Sequence, residues 1–240
     1  MRLDKAVTLS GLTRSEAKRA IAAGRVTVDG LRATDAGQSV EPGQVRVDGA
    51  PVSAPGALHI MVNKPAGVLT ATEDRRLPTV LDLLPPEYRR RGLGPVGRLD
   101  RDVTGLVLLT TDGQLAHRLI SPKWKAEKVY RATCEGRLDE IVVARFAGGI
   151  VLSDFTARPA GLRILQAGEA ESTAEVTLSE GKFHQVKRMF AAVGHPLTAL
   201  MRLRIGPVQV DPALPEGGWR ELTPEESAAL YAAVGLKEEG

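Results

Sequence analysis

The stretch GRLDRDVTG, residues 97–105, places two carboxylates on a short segment bounded by glycines. Asp100 and Asp102 alternate with arginines, and the apolar run GLVLLTT follows directly. A basic neighbour favours the ionised form of a carboxyl group, and an ionised carboxylate can act as a nucleophile or a general base. A surface turn in which Asp100 pairs with Arg98 would have the same local sequence. The segment alone therefore leaves a catalytic loop and a simple ion-paired turn as alternatives.

A dinucleotide site is the first competing interpretation. Gly92, Gly94 and Gly97 match the pattern G-x-G-x-x-G. That pattern binds a pyrophosphate only between a buried strand and the N-terminus of a helix. Here three arginines, residues 89–91, precede the glycines and a charged loop follows them. We therefore expect no nucleotide cofactor.

A magnesium site is the second competing interpretation, because Asp100, Asp102 and Asp112 could supply oxygen ligands for a nuclease. Asp112, however, stands just before the helix-like run GQLAHRLI, where an aspartate caps free backbone amides. In an extended segment Asp100 and Asp102 would point to opposite sides. The histidines show no H-E-x-x-H spacing, and Cys134 is the single cysteine. We expect no bound metal, no intrachain disulfide and no other cofactor.

The composition predicts a globular protein whose charge is unevenly distributed. The chain has 240 residues, 43% of them hydrophobic, which is enough to form a sizeable core. It contains no apolar run of about 18 residues that could span a membrane and no signal-peptide pattern, so we expect a cytoplasmic protein without a membrane partner. The net charge is only +3, but lysines and arginines occur in short clusters. Several clusters on one face would follow a phosphate backbone, although each alone is typical of a solvated surface.

Residues 1–49 are predicted to form a small α/β unit. A helix is expected through RSEAKRAIAAG, with Thr13 or Ser15 as its cap, and RVTVDG and QVRVDG each predict a strand that ends in an Asp-Gly turn. Within the helix, Arg14, Lys18 and Arg19 lie close together by the i, i+4 rule. One side of this helix is therefore predicted to be basic and the other apolar.

The remainder of the chain predicts a second, larger unit. The segment APVSAPGA is typical of a linker, which places the domains at residues 1–55 and 56–240. Strand-like runs such as KVYRATCE and AEVTLSE mix with helix-like runs without regular alternation, so we predict an α+β fold with a largely antiparallel sheet flanked by helices. In the helix-like run FHQVKRMFAAVG, an apolar stripe is predicted, formed by Phe183, Val186, Phe190 and Val193.

Both units resemble known families. RLDKAV, TRSEAKRAIAAGRVTVDG and VEPGQVRVDG are similar to the S4 RNA-binding module. From NKPAGVL onward, three ordered blocks resemble the pseudouridine synthases, in particular the branch that acts on bacterial small-subunit ribosomal RNA. The blocks are GPVGRLDRDVTGLVLLTTDGQLAHRLISP, EKVYRA and SEGKFHQVKRMFAAVGHPL.

The resemblance implies roles for individual residues. Asp100 falls on the catalytic carboxylate of the family, and Tyr130 on the tyrosine that packs against the target base. Lys187 falls on the basic residue that pairs with the carboxylate, with Arg188 as the second choice for that role. The family's chemistry leaves open whether Asp100 attacks the ribose, attacks the base or removes a ribose proton. Arg98 could fill the gap left by the flipped base or bind a flanking phosphate, and Arg14, Lys18 and Arg19 would contact RNA.

One residue of the active loop departs from the family pattern, and several functional alternatives stay open. Val103 stands where the family usually has threonine. A non-catalytic RNA-binding factor for ribosome assembly, a magnesium-dependent nuclease and a synthase acting on large-subunit RNA are the competing functions. The expected partner is small-subunit ribosomal RNA, free or in a partly assembled ribonucleoprotein, and a monomer is the default expectation.

Overall fold

The computed structural model describes residues 1–52 and 56–237, which form two compact units, Met1–Gly56 and Ala57–Gly240. Residues 53–55, part of the predicted linker, lie outside the described residues. The first part of the predicted linker is not a linker, because Ala50–Pro51 forms an edge strand and Val52 is buried. No helix in the two described ranges is long and apolar enough to cross a membrane.

The N-terminal unit packs two helices against a four-stranded sheet with the strand order β2-β1-β3-β4. Its elements are α1 (Leu3–Thr8), α2 (Arg14–Ala22), β1 (Val26–Val28), β2 (Leu31–Arg32), β3 (Val45–Val47) and β4 (Ala50–Pro51).

Local chemistry explains the boundaries of these elements. Thr13 caps α2: its hydroxyl accepts from the amide of Glu16, whose carboxylate accepts from the amide of Thr13. The Asp-Gly turn at Asp29 and Gly30 has positive φ at both residues, 50° and 81°, as the tight hairpin between β1 and β2 requires. The predicted helix and the predicted Asp-Gly strand ends are confirmed.

The larger unit is built on a nine-stranded sheet whose central order is β11-β12-β8-β13-β7-β5-β15, with β14 beside β13 and β6 beside β7; β9 and β10 pair separately. The strands of this unit are β5 (His59–Lys64), β6 (Gly94–Pro95), β7 (Thr104–Thr110), β8 (Lys128–Glu135), β9 (Ile150–Val151), β10 (Thr156–Ala157), β11 (Gly161–Ala167), β12 (Glu171–Leu178), β13 (Leu197–Ile205), β14 (Val208–Gln209) and β15 (Trp219–Glu221). Its helices are α3 (Pro86–Arg89), α4 (Gly113–Ile120), α5 (Glu140–Gly148), α6 (Gln185–Ala192) and α7 (Pro224–Ala233).

The nine-stranded sheet is antiparallel at every pairing among the described strands except that between β13 and β7, so the predicted α+β fold is confirmed. Alternating residues of one strand serve two cores, because successive side chains in a strand point to opposite faces. Ile60 and Val62 pack in the core beneath α5 and α6, whereas Met61 packs in the core beneath α4 and α7. The central strands are therefore buried on both faces and form a rigid support for the loops at their ends.

One prediction about α6 is wrong. Val186, Phe190 and Val193 are buried as expected, but Phe183 is 70% exposed and lies outside the helix. The reason is local: His184 has a left-handed backbone with φ 49°, which breaks the helical path, so that α6 begins only at Gln185.

Candidate active site

The loop that carries Asp100 runs from Gly97 into β7, and its backbone is held at several points. The Thr70 hydroxyl both accepts from the amide of Leu99, at 3.1 Å, and donates to the Leu99 carbonyl, at 2.9 Å. The amide of Val103 donates to the Asp100 carbonyl at 3.2 Å, which closes a turn over residues 100–103. Val103 itself is only 2% exposed and packs in the larger core, so an apolar side chain suits this position.

A buried lysine side chain forms hydrogen bonds that hold the same loop. Lys64, at the end of β5, is fully buried, and its ammonium group donates to the carbonyls of Pro65 (2.9 Å), Val68 (2.9 Å) and Arg101 (3.1 Å). Burial lowers the pKa of Lys64 to about 8, while the nearby carboxylates of Asp102 and Asp100 act in the opposite direction. At neutral pH the group therefore stays charged and ties the loop to the sheet.

Lys187 brings the two carboxylates together. Its Nζ lies 3.1 Å from Oδ2 of Asp100, and 2.7 and 2.9 Å from the two carboxylate oxygens of Asp102. Burial works to lower the pKa of Lys187, but the hydrogen bonds to Asp102 and Asp100 outweigh it and raise the pKa. The hydrogen bond from Lys187 in turn lowers the pKa of Asp102. This arrangement corrects the expectation that the two carboxylates point to opposite sides, because a turn over residues 100–103 replaces the extended backbone on which it rested.

The second neighbour of Asp100 is His184 rather than Arg98. Nε2 of His184 lies 3.4 Å from Oδ1 of Asp100. Arg98 is exposed and, within the described part of the chain, forms no ion pair with Asp100, so the expected loop ion pair is absent. Arg98 still lines the cleft beside Asp100, where its guanidinium faces solvent.

The cleft that receives Asp100 contains about 730 Å³ of empty space, part of it open to solvent. Tyr130, in β8, is 8% exposed and lines this cleft together with Lys187 and Leu200. Asp102 does not line it. The cleft therefore offers the carboxylate of Asp100, the ammonium group paired with it and a phenol ring to a planar ligand.

Arg188 does not reach Asp100. Its guanidinium pairs with Asp154 and donates to the Ser153 hydroxyl at 3.2 Å. Consecutive residues on a helix are separated by about 100°, so only one of Lys187 and Arg188 can face the loop. The alternative assignment of Arg188 as the partner of the carboxylate is wrong.

The basic residues of α2 lie on the surface of the N-terminal unit. Arg14, Lys18 and Arg19 are exposed, whereas Ala17 is buried in the core of this unit, so the predicted basic and apolar sides of the helix are confirmed. Nε of Arg14 lies 3.3 Å from the fully buried carboxylate of Asp4, so the charge of Arg14 is partly neutralised. Lys18 and Arg19 form no ion pair within residues 1–52 and 56–237 and leave their charges in solvent.

Two residues that shape the cleft belong to the basic clusters of the sequence, which are typical of a solvated surface, yet the structure buries them. Lys128 and Arg202 both line it and are both buried; Lys128 donates to the Leu119 carbonyl at 3.0 Å, and Nε of Arg202 to the Leu106 carbonyl at 2.8 Å. Burial lowers the pKa of Lys128 to about 8, and the charge of Arg202 acts in the same direction. The only sequence signal for such residues is a basic side chain inside an otherwise apolar strand, which Lys64 in HIMVNKP also shows.

The side chains around the loop do not form a metal site. In the part of the chain that the structure describes, no group of three or more His, Cys, Asp and Glu side chains could hold a metal ion. Asp100 and Asp102, which were considered as magnesium ligands, share the ammonium group of Lys187 instead. Asp112 caps α4, accepting from the amides of Gln114 and Leu115.

Comparisons with known proteins show the family to which the chain belongs. The sequence model of the family described as RNA pseudouridylate synthase matches residues 58–192, and that of the S4 domain matches residues 1–45. Ribosomal small subunit pseudouridine synthase A of Vibrio parahaemolyticus is 44% identical over 235 residues, which cover 96% of this chain and 100% of that protein. The uncharacterized RNA pseudouridine synthase YtzG of Bacillus subtilis is 43% identical over 230 residues, which cover 94% of this chain and 96% of that protein.

A solved structure supports the same grouping. A crystal structure of a pseudouridylate synthase matches with a TM-score of 0.68 at 36% identity, covering 96% of this chain and 99% of that one. The chain belongs to the RNA pseudouridylate synthase family and carries an S4 domain. It is therefore an enzyme of the isomerase class, and the expected pseudouridine synthase resemblance is confirmed.

Proposed function

We propose that this enzyme isomerises one uridine of small-subunit ribosomal RNA to pseudouridine, with Asp100 as its catalytic carboxylate. The observation that carries the assignment is the contact between Asp100 and Lys187, 3.1 Å, at the edge of a cleft that Tyr130 also lines. The substrate assignment is supported by the name of the Vibrio parahaemolyticus relative, which aligns over nearly the whole of both chains.

The reaction breaks the bond between N1 of uracil and C1′ of the ribose, turns the base and joins C5 to C1′. C5 loses a proton and N1 gains one, so the change is an isomerisation that needs no redox partner or group donor. We assign to Asp100 the attack on the sugar or the base, or the removal of a ribose proton. The ammonium group of Lys187 donates to that carboxylate and orients it.

The base must leave its stack to enter the cleft, because a carboxylate on a protein loop cannot reach it inside a helix. We assign Tyr130 the contact with the face of the flipped uracil, since its ring lines the cleft from the buried strand β8. Its support by a central strand fixes the ring on one side of the bound base.

We assign the contacts with RNA outside the target nucleotide to basic residues of both units. We assign Arg98 to a phosphate near the target, because it is exposed and lines the cleft. We assign the exposed Arg14, Lys18 and Arg19 to the RNA that binds the S4 domain. Because phosphate contacts release counterions, binding should weaken steeply with salt. Arg188 contributes less, since Asp154 already neutralises it.

Tritium release from RNA labelled at C5 of uridine tests the catalytic assignment. Wild-type enzyme should release tritium from a small-subunit RNA transcript, and Asp100→Asn should release none above background. Asp102→Asn is the matched control, because it makes the same carboxylate-to-amide change outside the cleft. Equal rates for wild type and Asp100→Asn would refute the assignment.

Mapping the modified nucleotide tests the substrate assignment separately. Carbodiimide-blocked primer extension on small-subunit RNA should show a single stop. A stop in large-subunit RNA or transfer RNA instead would overturn the proposed substrate while leaving the catalytic residue intact. Parallel reactions on free RNA and on a partly assembled small subunit would establish which form is modified.

A further inference from the structure

An exposed aromatic ring stands beside the proposed catalytic carboxylate. Phe183 is 70% exposed, and its ring stacks on that of His184 with a centroid distance of 3.7 Å and an interplanar angle of 18°. His184 in turn lies 3.4 Å from Asp100. His184 therefore lies between Asp100 and the exposed ring of Phe183.

The turn that carries these rings is closed by hydrogen bonds at its base. The side-chain oxygen of Gln185 accepts from the amide of Lys182 at 2.9 Å, and the amide of Gln185 donates to the Lys182 carbonyl at 3.1 Å. Gln185 is itself buried and donates to the buried carboxylate of Glu180 at 2.6 Å. Phe183 and His184 thus occupy the tip of a fixed turn.

Solvent exposure of a phenylalanine at this place requires a reason, because the ring could otherwise have joined the apolar stripe of α6. One ring face rests on His184, so the exposed fraction of 70% leaves the opposite face in water. Aromatic faces of this kind are the surfaces on which proteins stack unpaired RNA bases. Lys182 and Arg98, which both line the cleft, add positive charge for the phosphates on either side of such a base.

We propose that the free face of Phe183 stacks on the nucleobase next to the target uridine in the RNA chain. When the target enters the cleft, its neighbour loses a stacking partner, and the Phe183 ring replaces it. The stacked rings of Phe183 and His184 then bind the RNA whose target base has been flipped out, whereas Asp100 performs the chemistry. This inference rests on the catalytic site proposed above.

Substitutions of Phe183 test whether its ring stacks on a base of the RNA. Phe183→Ala and Phe183→Leu should each raise the KM for an RNA transcript on which wild type is active by about 5- to 30-fold, the equivalent of about 1–2 kcal/mol. Phe183→Trp should restore the wild-type KM because it restores an aromatic face. The kcat at saturating RNA should change little in all three variants. Ile141→Ala is the control, since Ile141 is similarly exposed, at 69%, and does not line the cleft.

A spectroscopic readout tests the contact directly. RNA should quench the added tryptophan emission of Phe183→Trp, and it should leave that of Ile141→Trp unchanged. A KM within twofold of wild type for both Phe183→Ala and Phe183→Leu would overturn the proposal. So would a fall in kcat without a change in KM, which would mean that Phe183 acts only by positioning His184. If wild type releases no tritium from any small-subunit RNA and only another RNA serves as substrate, the proposed substrate is refuted while the role of Phe183 can still be measured on that other RNA.

Discussion

Replacing Lys64 by methionine tests whether the loop that carries Asp100 depends on the hydrogen bonds of the buried Lys64 ammonium group. Methionine has a similar length but no donor, so the carbonyls of Pro65, Val68 and Arg101 lose the hydrogen bonds of 2.9–3.1 Å that they accept from the ammonium group. The Arg101 carbonyl keeps the amide of Gly67 as a donor at 2.8 Å. Its neighbour in the chain, Asp100, becomes less firmly placed.

The effect on stability should be small. Two carbonyls left without a donor cost about 1–3 kcal/mol each. Burial of the Lys64 charge works in the opposite direction. The fall in its pKa from 10.5 to about 8 corresponds to a cost of about 3 kcal/mol, and methionine removes this cost because it carries no charge. We expect a net loss of at most about 3 kcal/mol in the free energy of unfolding. The effect on rate should be larger, because a displacement of about 1 Å at a reacting group can cost about 100-fold.

Single-turnover tritium release at saturating RNA measures the rate, and thermal denaturation measures the stability. Lys64→Met should lose about 100-fold in rate while its affinity for RNA is retained. Leu230→Ala is the stability control, because this 1% exposed residue of α7 is in the core on the opposite face and its truncation costs about 2–5 kcal/mol. If Lys64→Met kept a rate within about threefold of wild type, the role of Lys64 in positioning the loop would be refuted.

The pH dependence adds a second test of the same residue. The pKa of Lys64 is lower in the folded state than in the unfolded chain, so between about pH 8 and 10.5 the unfolded chain binds more protons. The contribution of Lys64 to stability therefore rises with pH across that window. The rate should fall over the same window, because a neutral amine is a weaker donor to the loop carbonyls. Lys64→Met should remove the part of both trends that Lys64 causes, and a rise in stability with pH should remain from Lys128, whose pKa burial also lowers to about 8.

Two further predictions concern the loop and the strand after it. Asp102→Asn should lower kcat by no more than about fivefold, because exposed ion pairs such as that between Asp102 and Lys187 contribute little energy. A loss above about 100-fold in the rate of tritium release would mean that Asp102 takes part in the chemistry. Gly105→Ala should destabilise the enzyme by more than about 2 kcal/mol, because φ is +96° and an added Cβ would lie 2.3 Å from the Arg202 carbonyl oxygen. Gly113→Ala, where a Cβ meets nothing within 4 Å, should leave the thermal midpoint nearly unchanged, and equal midpoints for both variants would contradict the steric argument.

Short-range chemistry accounts for what the sequence predicted well. The capping box at Thr13 spans three residues, and the cap at Asp112 accepts from amides two and three residues ahead. The Asp-Gly turns and the α+β class follow in the same way from neighbouring residues and from the pattern along the chain. These features depend on backbone preferences that operate over a few residues, so the sequence determines them directly.

The family resemblance named Asp100, Tyr130 and Lys187, but only the tertiary structure decided how the rest of the site is assembled. Lys64 reaches a carbonyl 37 residues away, and Lys187 reaches Asp102 across 85 residues. No local pattern indicated that a turn would bring Asp100 and Asp102 to the same ammonium group, or that a left-handed His184 would expose Phe183. Such contacts depend on which strands pair and where their loops meet, and the packing of the whole sheet fixes both.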